Sequence, residues 1–161
     1  MKYGLRMKIA ASRRHSAILK IISRLSSVIC SLVFLLQLLF SVLDKNYISA
    51  LKIAAAAGVG FVIVTVLRHF INAPRPYELR SFYKVSPRTK EGKSFPSRHA
   101  YSAFVIATLA WIWHPAISLS TLALALVVCI ARVLVGIHFI RDVVCGALLG
   151  ILAGVLGILL I

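Results

Sequence analysis

Residues 137–161 read IHFIRDVVCGALLGILAGVLGILLI. Beyond Asp142 the stretch carries no charged side chain. A helix needs about 20 apolar residues to cross roughly 30 Å of hydrocarbon, and this segment supplies them. Gly146, Gly150, Gly154 and Gly157 recur at spacings of four and three. Small residues at that spacing let a neighbouring helix approach closely, so their role is packing. The segment sets the solvent for the chain, which is lipid.

Four more apolar segments lie upstream: about Leu25–Leu43, Ser49–Phe70, His99–Trp113 and Pro115–Leu134. The third is short, and Trp111 and Trp113 at its end suit a membrane interface. The expectation is an all-α, polytopic membrane helix bundle of about five transmembrane helices. Composition agrees. The 161 residues are 60% hydrophobic and only 14% charged, whereas soluble domains are about a quarter charged. Mean hydropathy is +0.94. These values exclude a disordered chain and argue against a water-soluble globule.

The charge is lopsided, with 19 Lys plus Arg against 4 Asp plus Glu, a net +15. A basic chain invites a nucleic-acid reading. The apolar fraction argues against it, so no nucleic-acid partner is expected. What remains is a basic membrane face or an anionic ligand. The four acids, Asp44, Glu78, Glu91 and Asp142, are scattered, which does not suit the clustered carboxylates of a two-metal centre. Cys30, Cys129 and Cys145 sit in apolar runs without zinc spacing. No metal and no cofactor are expected.

Residues 1–24 carry Lys2, Arg6, Lys8, Arg13, Arg14, Lys20 and Arg24 among apolar residues. They are expected to form a basic amphipathic arm on the membrane surface, with residues 25–161 as the embedded domain. Five spans put 17 of the 19 basic residues on one side, leaving Lys45 and Lys52 opposite. By the positive-inside bias that side faces the cytoplasm. The one long hydrophilic stretch, about Asn72–Arg98, lies there too, broken by Pro74, Pro76, Pro87 and Pro96. Loops of that length in compact domains are commonly functional.

Three sets of polar residues converge on this face. His138 and Asp142 are four apart. If the last helix starts near His138, both share one face, and the carboxylate can fix the tautomer of an imidazole that acts as nucleophile or base. A satisfied interfacial His–Asp pair fits the spacing as well. Ser97 and His99 stand at the mouth of the third helix, where N-terminal N–H groups bind anions and a histidine can act as general acid. A simply capped helix start, with Ser97 or Ser94 as N-cap, is the structural alternative. Arg68 and Arg75 can hold an oxyanion through bidentate hydrogen bonds. Snorkelling at the membrane edge would explain Arg68 alone, but not Arg75 between Pro74 and Pro76. Arg132 completes the set. His15, His69 and His114 match no such pattern.

At these positions the sequence resembles the type 2 phosphatidic acid phosphatases, relatives of the vanadium haloperoxidases. Their signature is Lys, six residues, Arg-Pro; then Pro-Ser-Gly-His; then Ser-Arg, five residues, His, three residues, Asp. Here the parts read Arg68 to Arg75-Pro76, Pro96-Ser97-Arg98-His99, and Ala131-Arg132 to His138 to Asp142, with every spacing kept. Arg68 replaces Lys, Arg98 replaces Gly, and Ala131 replaces Ser, so one hydroxyl is lost. The resemblance implies a metal-independent lipid phosphatase hydrolysing a phosphomonoester or diphosphate lipid through a phosphohistidine. In it Arg68, Arg75, Ser97, Arg98 (through its backbone) and Arg132 bind phosphate, and His138, oriented by Asp142, attacks phosphorus. His99 protonates the leaving group and then activates water. Phosphatidic acid, phosphatidylglycerol phosphate and undecaprenyl diphosphate are the candidate substrates, a phospholipid or polyprenyl phosphate in the bilayer. The short chain suits a bacterial cell-membrane enzyme with its site near the cytoplasmic face. The alternative is a non-catalytic basic membrane protein binding anionic lipid. A vanadate haloperoxidase is opposed by the buried helices, and a transporter by the lack of an inverted repeat.

Overall fold

The computed structural model describes residues 13–79 and 92–160. It is built of helices: α1 (Arg13–Leu43), α2 (Tyr47–Ile71), the short α3 (Pro76–Leu79), α4 (Arg98–Leu109) with a 3-10 turn at Ala110–Ile112, α5 (Pro115–Leu134) and α6 (Ile140–Leu160). Arm residues 1–12 lie outside the described residues. So do loop residues 80–91, with Arg80, Lys84, Pro87, Arg88, Lys90 and Glu91.

Local chemistry sets the ends. Asn46 caps α2 by accepting from the Ser49 N–H at 3.1 Å, as a short polar side chain does at a helix start. Asn72, left-handed at φ 41°, closes α2 by donating its N–H to the Arg68 carbonyl. His114, with Pro115 behind it, opens α5 by accepting from the Ala116 N–H. Gly136 turns the chain between α5 and α6 at φ 78°.

Among the described residues, four helical stretches are long and apolar enough to cross a bilayer: His15–Leu43, Tyr47–Leu79, Pro115–Leu134 and Ile140–Leu160. The segment expected as the third span differs. Its α-helix has only 12 residues, about 18 Å at 1.5 Å per residue. It still carries the chain from one end of the bundle to the other, because Trp113 beyond it packs on Phe40 near the far end of α1, ring centroids 4.9 Å apart. It is short because other helices, not lipid, surround it. Tyr101, Ala103, Phe104, Val105, Ile106 and Leu109 are all buried, and α1, α2, α5 and α6 pack around them. The first helix also differs from expectation. Its described part reaches back to Arg13, well before Leu25, and runs unbroken through the boundary drawn at residue 24. No Gly or Pro interrupts residues 13–43, so nothing stops the helix.

The glycines of α6 set its distance from α4. A Cβ on Gly150 would lie 2.5 Å from the Tyr101 carbonyl oxygen, and one on Gly146 would strike the Ser97 carbonyl. Side-chain hydrogen bonds hold the other neighbours. The Tyr101 hydroxyl donates to the Ala57 carbonyl of α2 at 3.1 Å, and the Ser118 hydroxyl of α5 to the Ala107 carbonyl at 2.7 Å. The opposite face of α6 exposes Leu148 and Leu152, as a lipid-facing surface does. Gly150→Ala is expected to cost about 1–3 kcal/mol through overpacking. Leu148→Ala, at a side chain 62% exposed, should change stability by less than about 0.5 kcal/mol. Thermal unfolding in detergent compares the two.

Candidate active site

One end of the bundle collects the polar residues. Asp142, in the first turn of α6, is wholly buried. Its Oδ2 accepts from the Phe139 N–H at 2.9 Å and from the Ser94 hydroxyl, in a very short contact. The same oxygen stands 3.5 Å from His138 Nδ1, beyond a good hydrogen bond. Ser94 Oγ also lies 3.4 Å from that nitrogen. The Asp142 backbone carbonyl accepts from the Ser97 N–H at 2.9 Å. One acidic residue thus joins the start of α6, the α5–α6 turn and the loop before α4.

His138 does not sit on α6, which begins only at Ile140. It lies in the preceding turn, 3% exposed, and its N–H donates to the Arg132 carbonyl at 3.3 Å. The Asp142 carboxylate caps that turn, and this, more than a shared helical face, brings the two side chains together. Burial pushes the His138 imidazole below its ordinary value, outweighing the opposing pull of Asp142. At neutral pH the ring is therefore uncharged, with a lone pair available.

The arginines converge here in two groups. Arg68, buried at the end of α2, donates Nη1 to the carbonyls of Pro96 at 2.9 Å and Ser94 at 3.3 Å. It clamps the loop that carries Ser94 and Ser97. Arg75 donates Nε to the Gly92 carbonyl at 3.0 Å, while Glu78 takes the Gly92 N–H at 2.7 Å. Ser97, fully buried, caps α4 by accepting from the Ala100 N–H. The first-turn N–H groups of Arg98 and His99 have no acceptor within the helix. The second group, Arg98, His99 and Arg132, lines a cavity of about 1120 Å³. Arg132 donates Nε to the Ser23 hydroxyl of α1 at 3.1 Å. Arg98 lies over the Phe61 ring, 5.6 Å from its centroid. The cavity follows α1 from Ala17 to Leu32, about 20 Å of helix. Beyond its basic end the walls are apolar: Leu25, Val28, Leu32, Phe61 and Ile106.

Sequence reasoning gave Ser94 only a capping role and Ser23 none. Ser94 fell among the capping candidates, and its contact with Asp142 spans 48 positions. Ser23 was hidden in the basic arm. Of the remaining histidines, His69 Nδ1 meets Lys93 Nζ at 3.1 Å. Among the described residues no three His, Cys, Asp or Glu side chains gather as metal ligands would.

A bundle of membrane-crossing helices with a buried His–Asp pair and clustered arginines at one end defines a class, and the comparisons agree on it. The model of the PAP2 superfamily matches residues 49–161, and the chain belongs to that superfamily. A 60-residue stretch is 42% identical to the bacitracin transport permease protein BcrC of Bacillus licheniformis, covering 37% of this chain. The chain spans about 30% of the length of that relative. The crystal structure of Aquifex aeolicus LpxE superposes with a TM-score of 0.70 at 27% identity, over 89% of this chain and 84% of the other. A PAP2-type phosphatidylglycerolphosphate phosphatase from Bacillus subtilis shares the fold, with a TM-score of 0.68 at 24% identity over 95% of this chain and 81% of that one. The resemblance carried by the three motifs is thereby borne out, as is the all-α multi-pass membrane architecture.

Ser94→Ala would remove a donor from a buried carboxylate, which costs about 1–3 kcal/mol when the acceptor stays dry. The variant should unfold at lower temperature in detergent, whereas Ser94→Thr, which keeps the hydroxyl, should lie closer to the parent.

Proposed function

We propose that this membrane hydrolase is a lipid phosphate phosphatase working through a phosphohistidine. The observation that carries the reading is the buried His138 set beside Asp142, in the turn that follows Arg132 at the end of α5. An imidazole kept neutral by burial is a nucleophile at ordinary pH. Arg68, Arg75 and Arg132, with the Ser97 hydroxyl and the N–H groups at the start of α4, are the donors for the phosphate. Arg68 and Arg75 spend hydrogen bonds on loop carbonyls and keep further guanidinium N–H groups for a ligand. Their fixed position matters, because phosphoryl transfer is accelerated mainly by preorganised charge.

In the first step a His138 ring nitrogen bonds to phosphorus as the ester P–O bond breaks, with His99 giving the leaving oxygen its proton. In the second, water attacks phosphorus, its proton passes to His99, and the N–P electrons return to the ring. The 3.5 Å separation of His138 and Asp142 is of the kind that tightens when substrate binds. Phosphatidic acid, phosphatidylglycerol phosphate and undecaprenyl diphosphate all present a terminal phosphate to such a site. The amphipathic cavity supports a lipid carrier, since its basic end lies at the site and its apolar end runs along α1.

The test is phosphate release by the purified protein in detergent and EDTA, on the three lipids, beside His138→Ala. Release should persist in EDTA and fall at least about 1,000-fold in the variant, the scale on which a lost nucleophile acts. Because burial lowers the His138 pKa, kcat/KM should hold as pH falls, declining only below the ordinary histidine value of about 6.5. Equal activity in the variant would overturn the mechanism and leave anionic-lipid binding as the function.

The site is further proposed to face the cytoplasm, in a bacterial cell membrane. The support is the 17 to 2 division of basic residues. A cysteine introduced at Lys93 should resist a membrane-impermeant maleimide in intact cells and react after lysis. Labelling in intact cells would reverse the orientation.

A further inference from the structure

We infer that the site is built for lipids bearing two phosphates in anhydride linkage, with Arg98 and Arg24 holding the second phosphate. The inference rests on the phosphatase reading above and begins from a surplus of charge. A phosphomonoester carries between one and two negative charges near neutral pH. Arg68, Arg75 and Arg132 are enough to meet it. Yet the cavity wall adds Arg24 and Arg98. Among the described residues the acids of this end are already engaged: Asp142 by Ser94 and Phe139, and Glu78 by Gly92. Cations gathered in a partly enclosed, low-dielectric cleft repel one another unless an anion sits between them.

Their placement shows where that anion goes. Arg24 follows Ser23, whose hydroxyl holds Arg132, so it belongs to the α1 wall beside the primary phosphate donors. Arg98 lies on the facing wall, spread on the Phe61 ring of α2. His99, the proposed acid, lines the same cavity. Beyond all three the apolar groove begins at Leu25 and Val28. A diphosphate lipid fits that order of groups. The terminal phosphate meets His138, and the bridging oxygen points toward His99. The second phosphate rests between Arg98 and Arg24, and the chain lies against α1. Where the family signature carries a glycine, this chain carries Arg98. A charge has been added at the point where a second phosphate would stand.

The chemistry balances. A His138 nitrogen bonds to the terminal phosphorus while the bridging P–O bond breaks. Its electrons stay on the bridging oxygen, which takes the proton of His99 and departs as part of a lipid monophosphate. Arg98 and Arg24 hold the charge of that leaving group. Water then displaces the histidine from phosphorus, its proton goes to His99, and inorganic phosphate leaves. The products are one lipid monophosphate and one phosphate per water consumed.

The experiment uses the full chain in detergent with farnesyl diphosphate and farnesyl monophosphate, which share one hydrocarbon. The parent should favour the diphosphate in kcat/KM by at least about tenfold, the low end of a charge-assisted hydrogen bond. Arg98→Gly, the residue of the family signature, and Arg24→Gln should each lower the diphosphate-to-monophosphate ratio by about tenfold. Arg98→Lys should retain part of it. An unchanged ratio in both variants, or a parent that prefers the monophosphate, would overturn the inference while leaving a working phosphatase. Loss of the parent's activity on both substrates, or full activity in His138→Ala, would strike the underlying reading instead.

Discussion

A carboxylate buried in an apolar bundle must be satisfied or it does not stay charged. Asp142 meets that demand at Oδ2, which draws in the Phe139 N–H, the Ser94 hydroxyl and the neighbourhood of His138, while Arg141 Nε stands 3.6 Å from Oδ1 and the backbone carbonyl takes the Ser97 N–H. Those partners come from three separate parts of the chain. Satisfying one charge therefore fixes the α5–α6 turn, the start of α6 and the loop into α4 relative to each other. The position of His138 follows from the same requirement.

Arg68 supplies the complementary constraint. It gives its hydrogen bonds to Ser94 and Pro96 carbonyls, so the loop is held from the α2 side by a cation and from the α6 side by an anion. Between them α4 can be short. Neighbouring helices, with no lipid contact to match, determine how long it must be. Its start is consequently a rigid, buried helix mouth. That is the setting in which backbone N–H groups bind an anion without reorganising.

Much of this was legible in the chain, for a physical reason. In a lipid-embedded sequence charged residues are costly, so Arg68, Arg132, His138 and Asp142 stand out against their surroundings and their spacing carries information. The apolar segments were legible for the same reason, though their ends were not. The reach of α1 back beyond Leu25 was obscured because Lys20 and Arg24 break the hydropathy signal without breaking the helix. His138 was expected on a helical face and instead lies in a capped turn, a distinction that depends on where Gly136 bends the chain. Ser94 and Ser23 were out of reach. A serine in a loop or on a basic helix has many ordinary roles, and only its neighbours in space, 48 and 109 positions away, give it a particular one.

The glycine face of α6 has a bearing on how this sequence can drift. On the side facing α4, Gly146 and Gly150 meet backbone atoms, so even one added methyl has nowhere to go. On the other side Leu148, Leu152 and Leu159 meet only the surroundings of the bundle, where Ile, Val, Phe or Met would serve as well. A single helix thus joins a nearly frozen alphabet of one letter to a loose one of many, a turn apart. Related chains should diverge fastest where α6 touches lipid, and the depth of the proposed phosphate site, set by how closely α6 lies on α4, should remain while most of the letters around it change.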